Sequence, residues 1–219
     1  MKLNELPKTF WTDTRADALE RQKATMLTQD FRRKLKDLNA SHSKYALTIS
    51  TNQSSIHKAG IWFDIDARTE LCSEIYQSFV HRISSAIEPN YKRNTHADKR
   101  FISWGVIEHR SRNTHELCLP HIHATLAVHP SWEKEFLSCF ERNFCSDHFS
   151  PSQDFQIRCL NSVMPKISSI RLEPMSDEYG WTTYCLKQVH FANGIPSASD
   201  ALFFTHYGMS KNKVAKICA

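Results

Sequence analysis

The chain reads as an α+β domain, an antiparallel sheet with helices packed against it. Two observations point there. Short runs rich in β-branched and aromatic residues alternate with longer stretches of helical spacing, in the order helix, strand, helix, strand, strand, helix, strand, helix. The two central runs, 101–108 and 119–128, are joined by a polar connection, the signature of an antiparallel hairpin.

Residues 12–39 are expected to form an amphipathic helix, with Leu19, Met26, Leu27, Phe31, Leu35 and Leu38 at helical spacing and Thr12 or Thr14 as cap. YALTIST, at 45–51, has strand character, and IWFDI at 61–65 reads as a further short strand. In 67–87, Leu71, Ile75, Phe79, Ile83 and Ile87 recur at steps of four, which predicts a helix. Residues 89–100 are polar, basic and loop-like. After the hairpin, Ser131 opens a helix expected over 131–144, with Trp132, Phe136, Leu137 and Phe140 on its apolar side. Residues 155–160 and 168–173 are the remaining strand candidates, and Pro174 ends the second. A last helix is expected over 176–189, capped by Ser176 or Asp177, although Gly180 weakens its first turn. The expected organisation is an N-terminal helical extension over 1–44, a domain over 45–195, and a tail over 196–219 that packs on or follows that domain.

Composition narrows the class. With 219 residues and 41% hydrophobic content the chain can bury a sizeable core. No apolar run approaches a membrane span, and the first residues, MKLNELPKTFW, lack the apolar centre of a signal peptide. Seven scattered cysteines without a CxxC pair predict reduced thiols in a cytoplasmic protein. None of the five glycines belongs to a nucleotide-binding loop, so any work that needs ATP falls to another protein. The net charge of +5 is a mild excess, compatible with a nucleic-acid partner.

The chemistry centres on LPHIHATLAV, at 119–128. On a strand, His121, His123 and Thr125 share one face while Ile122, Ala124, Leu126 and Val128 share the other. Two imidazoles side by side on a rigid strand suit a metal ion. A histidine on a strand is more often a satisfied polar residue, so the pair gains weight only from company. That company is Tyr184 and Lys187, three apart and therefore on one face of the last predicted helix. Tyr179 has Thr182 at the same offset and is the weaker tyrosine.

The combination of His121-Ile122-His123 with Tyr184-x-x-Lys187 about sixty residues later resembles the HUH endonuclease superfamily, and within it the single-tyrosine rolling-circle replication initiators of plasmids and small DNA phages. The resemblance covers roughly 45–190 and implies an RRM-like or ferredoxin-like nuclease fold, here with an extra N-terminal helix. It also implies a Mn²⁺ or Mg²⁺ ion held by His121, His123 and a third ligand on the neighbouring strand. Glu108 is the best match, with His109, His115 and Glu116 as alternatives. A phenol is a poor nucleophile at neutral pH because its ordinary pKa is about 10. A divalent ion that fixes the phosphate and acts as a Lewis acid answers that difficulty. By the same resemblance Tyr184 attacks the phosphodiester and Lys187 stabilises developing charge. The substrate is single-stranded DNA at a replication origin. A host helicase acts in trans, because no helicase domain follows the nuclease motifs. Lys92, Arg93, Lys99, Arg100, Arg110 and Arg112 are the basic residues nearest the site in sequence, candidates for phosphate contacts.

Other classes compete. His123-Ala124-Thr125 fits one HxT motif of a 2H phosphoesterase, but no second copy exists. A histidine-triad hydrolase would want histidine where Thr125 stands. A transposase or relaxase would share the chemistry, and a DNA-binding module without nicking would share the fold. Trp104 and Trp181 are expected in the core.

Overall fold

A computed structural model describes residues 42–88, 99, 101–110, 116–143, 147–185 and 202–205, together with isolated positions before residue 34. The expected 12–39 helix lies mostly outside the described residues. Its described positions, Gln22, Thr25, Met26, Gln29 and Arg33, are helical and exposed.

Among the described residues, seven strands form one antiparallel sheet: β1 (Ser43–Thr51), β2 (Ile102–Arg110), β3 (Leu117–Val128), β4 (Phe140–Arg142), β5 (Phe149–Pro151), β6 (Ile167–Pro174) and β7 (Leu202–Thr205), in the spatial order β4-β5-β6-β1-β3-β2-β7. The helices are α1 (Gln53–Lys58), α2 (Ile65–Ile87), α3 (Pro130–Ser138) and α4 (Glu178–Cys185). Strands β6-β1-β3-β2 with α2 and α3 make the split βαβ arrangement, in which each long helix returns the chain across one face of the sheet.

The core lies on that face. Tyr45, Leu47 and Ile49 of β1, Ile122, Ala124 and Leu126 of β3, and Ile170 and Leu172 of β6 pack against Cys72, Ile75, Tyr76, Phe79 and Ile83 of α2. Each large apolar side chain buried here contributes about 1.5–3 kcal/mol. Phe136 of α3 is buried beside Tyr45, Phe101 and Phe140, with ring centroids 4.9, 6.1 and 5.2 Å away. Buried Arg68 of α2 donates to the backbone carbonyls of Trp62, at 3.0 Å, and of Cys118. It thereby ties the start of α2 to the start of β3.

Several expectations are corrected. IWFDI is not a strand: Gly60, at φ 67°, ends the α1 region, and Asp64 caps α2 by accepting from the Ala67 amide at 2.9 Å. The polar stretch after β1 forms α1, capped by Asn52. The helix expected over 131–144 starts at Pro130 with His129 as cap rather than Ser131, and it stops at Ser138 because Phe140–Arg142 pairs with β5. Residues 155–160 are helical, not extended. Ser152 caps a turn at Gln153–Phe155 that runs into a π-helical turn, Gln156–Leu160, and Asp154 and Arg158 pair one turn apart. In the stretch expected to be tail, Leu202–Thr205 adds β7 to the edge of β2. The last helix spans Glu178–Cys185 in the described residues, and Asp177 accepts from the Gly180 amide at 2.9 Å. No helix among the described residues is long and apolar enough to cross a membrane.

Gly105 shows how tightly β3 is held. A Cβ there would lie 3.0 Å from Ala124 Cβ, 3.1 Å from the His123 carbonyl oxygen and 3.3 Å from Tyr76 Cζ. Gly105→Ala should therefore lower stability by about 1–3 kcal/mol, read from the urea midpoint; an unchanged midpoint would contradict this packing.

Burial pushes the Cys72 thiol up to about 12 and the Cys139 thiol up to about 11 from an ordinary 9.0, with Cys159 also raising the latter and Arg68 and Arg158 opposing. The stability linked to these thiols is complete below pH 9 and is lost as pH rises toward the folded values. Native protein treated with iodoacetamide at pH 8 should keep Cys72 and Cys139 unmodified by mass spectrometry while partly exposed Cys118 and Cys159 react. Fast labelling of the buried pair would disprove their burial.

Candidate functional site

The side of the sheet away from α2 carries the site, and strand register builds it. Three rows of side chains cross it from β6 through β1 and β3 to β2. They are Ser169–Ser50–His121–Glu108, Arg171–Thr48–His123–Val106 and Glu173–Ala46–Thr125–Trp104. Apolar neighbours on the core side force this arrangement, because a strand that buries Ile122 and Ala124 must turn His121 and His123 the other way.

Glu108 stands opposite His121 but reaches diagonally, placing Oε2 2.8 Å from His123 Nε2. His123 is buried, and its other nitrogen, Nδ1, lies 3.2 Å from Thr48 Oγ1. The His121 and His123 rings are nearly parallel, with centroids 6.3 Å apart.

Helix α4 covers this face with two aromatic rings. Tyr184 meets His123 edge-on at 4.9 Å between centroids, Trp181 does so at 5.9 Å, and Trp181 stacks on Tyr184 at 5.6 Å with 20° between planes. Trp181 is one turn before Tyr184, so the stack is a property of helix spacing. Tyr184 is 40% exposed and accessible to a ligand. Buried Tyr45 is a different tyrosine: burial first, then its hydrogen bond to Glu133 and that carboxylate's charge, push its phenol up. Tyr179 is exposed.

The structure thus gathers His121, His123, Glu108 and Tyr184 on one face. Of the alternative third ligands, His109 turns to the core side, where Nε2 lies 3.0 Å from Thr69 Oγ1 of α2. Glu116 is exposed before β3, and His115 lies outside the described residues. So do Lys187, Lys92, Arg93, Arg100 and Arg112. Lys99 is partly exposed in a single described turn position, and Arg110 closes β2 with its backbone paired to Leu117.

Three residues of this face gain a role only from the structure. Thr48 of β1 stands opposite His123 of β3, and Arg171 of β6 stands opposite Thr48, so both reach this face through strand register. Trp181, expected in the core, joins the ring cluster instead, while Trp104 is buried as expected but on this same face.

Among the described residues, no three His, Cys, Asp or Glu side chains are already gathered around a common point. The carboxylate of Glu108 meets His123, with Oε2 2.8 Å from Nε2. The donor set itself, two imidazoles and a carboxylate on adjacent strands, is made of ligand types that hold divalent metal ions. Comparisons with protein-family models, with curated proteins and with solved structures returned no match.

Trp181→Ala removes both ring contacts. It should raise amide hydrogen exchange across residues 178–185 while costing only about 1 kcal/mol beyond the lost burial. Unchanged exchange in that helix would show that the stack does not anchor α4.

Proposed function

We propose that the chain is a metal-dependent endonuclease and strand transferase that nicks and rejoins single-stranded DNA through a covalent phosphotyrosine, and so starts rolling-circle replication. The observation that carries the proposal is the edge-on contact of Tyr184 with His123, 4.9 Å between ring centroids, on the same face as Glu108 and His121. Residues about sixty positions apart in the chain meet there, in the combination that this chemistry needs.

His121, His123 and Glu108 would hold Mn²⁺ or Mg²⁺, which as a bound Lewis acid would withdraw charge from a phosphate oxygen. The protein's own steps are these. Partly exposed Tyr184 presents its hydroxyl to the scissile phosphate, and the Trp181 stack limits how far the ring can swing. The Tyr184 oxygen bonds to phosphorus as the bond from phosphorus to the 3′ oxygen breaks. The phenolic proton is given up, and the departing 3′ oxygen takes up a proton. The DNA 5′ phosphate stays on Tyr184, and a free 3′-hydroxyl remains to prime synthesis. Attack by a 3′-hydroxyl on the phosphotyrosine reverses each bond change and reseals the strand. Lys187, three residues on, is assigned to the charge that develops at the phosphate. An origin sequence and a helicase acting in trans complete the reading, and Arg171, exposed on this face one strand beyond Thr48, is a further phosphate contact.

The test uses single-stranded oligonucleotides from an origin, with Mn²⁺. Wild type should form a protein–DNA adduct that survives denaturant, and Tyr184→Phe should form none; an adduct in that variant would overturn the nucleophile assignment. His121→Ala or His123→Ala should lower the rate of adduct formation on the order of 10² with DNA binding retained. Equal cleavage with and without chelator would remove the ion from the proposal.

A further inference from the structure

We infer that Thr48 is a positioning residue that lets His123 exchange one neutral tautomer for the other, and thereby makes His123 available as a metal ligand. The inference rests on the ion-binding reading proposed above.

Both nitrogens of the buried His123 ring are engaged, Nε2 with Glu108 at 2.8 Å and Nδ1 with Thr48 at 3.2 Å. An ionised carboxylate only accepts, so Nε2 carries a ring proton toward Glu108, and in the neutral form of the ring Nδ1 is then a bare acceptor. The Thr48 hydroxyl is then the donor. An ion at Nε2, the nitrogen that faces Glu108, needs that lone pair free. The proton must leave Nε2 for solvent, and the ligating ring carries its proton on Nδ1 instead. Nδ1–H then requires an acceptor, since a donor left without one in a buried place costs about 1–3 kcal/mol.

A hydroxyl serves both states, because turning about its Cβ–Oγ bond converts donor into acceptor. A carbonyl or carboxylate would serve only the second state, and an aliphatic side chain neither. Thr48 is held at this task by backbone pairing: it stands directly opposite His123 in the β1–β3 register, and its branched Cβ restricts the hydroxyl's position. Ser50 stands in the same register relation to His121, so both imidazoles of the strand face a hydroxyl-bearing residue on β1.

The test measures Mn²⁺ affinity of the full chain without DNA by calorimetry, for wild type, Thr48→Ser and Thr48→Val, each first shown to be folded by its urea midpoint. Thr48→Ser should bind within about threefold of wild type, and Thr48→Val about 10–100-fold more weakly. If wild type binds Mn²⁺ and Thr48→Val binds it equally well, the role of Thr48 is overturned while the ion-binding reading stands. If wild type binds no Mn²⁺, both fall. Ring ¹⁵N shifts of unsubstituted protein give a second measurement that needs no variant. His123 should carry its proton on Nε2 without metal and on Nδ1 after saturation with Mg²⁺. A proton that stays on Nε2 with Mg²⁺ bound would overturn the inference.

Discussion

His121, His123 and Thr125 look away from the core because Ile122, Ala124 and Leu126 look into it. That alternation on β3 is the constraint on which the molecule depends. The strand is buried from Ile122 to Val128, flanked by β1 and β2 and backed by α2. Slipping its register by one residue would exchange the two sets, pressing imidazoles into α2 and exposing the apolar residues. The hydrophobic energy that holds the sheet together is therefore also what aims the histidines. Gly105 belongs to the same constraint, since only the absence of a side chain lets β3 and α2 approach so closely there.

Around His123 the structure is unusually specific for a face outside the core. A carboxylate, a hydroxyl, a tyrosine ring and a tryptophan ring all meet one imidazole. A buried polar ring must have its hydrogen bonds satisfied, and Glu108 and Thr48 do this from the two strands that flank β3. The aromatic pair on α4 closes the remaining side and brings a partly exposed phenol to the spot. The same contacts that lower the cost of burying His123 thus assemble the groups that the proposed chemistry uses.

Much of the fold was legible because local periodicity and burial agree. The strand run at 45–51, the long helix ending at Ile87, the hairpin of β2 and β3, and β6 ending at Pro174 all follow from local composition and spacing. Short segments were not legible. IWFDI has the composition of a strand, yet it follows Gly60 and contains the Asp64 cap, and no described strand pairs with it. Gln153–Leu160 alternates weakly, and a serine cap with one ion pair is enough to make it helical. Over five or six residues, caps and pairing partners outweigh intrinsic preference.

By itself the sequence determined which residues share a face within each element: the two histidines of β3, the five apolar positions of α2, and Tyr184 one turn after Trp181. Side-chain direction along one strand or helix is set by backbone geometry, which needs no knowledge of neighbours. Only the tertiary structure decided what those faces meet. It set Glu108 rather than His109 beside the imidazoles, put Thr48 opposite His123, and moved Trp181 from the expected core to the ring cluster. Register between strands and the docking of a helix on a sheet are fixed by packing among residues distant in the chain, and no local pattern carries that information.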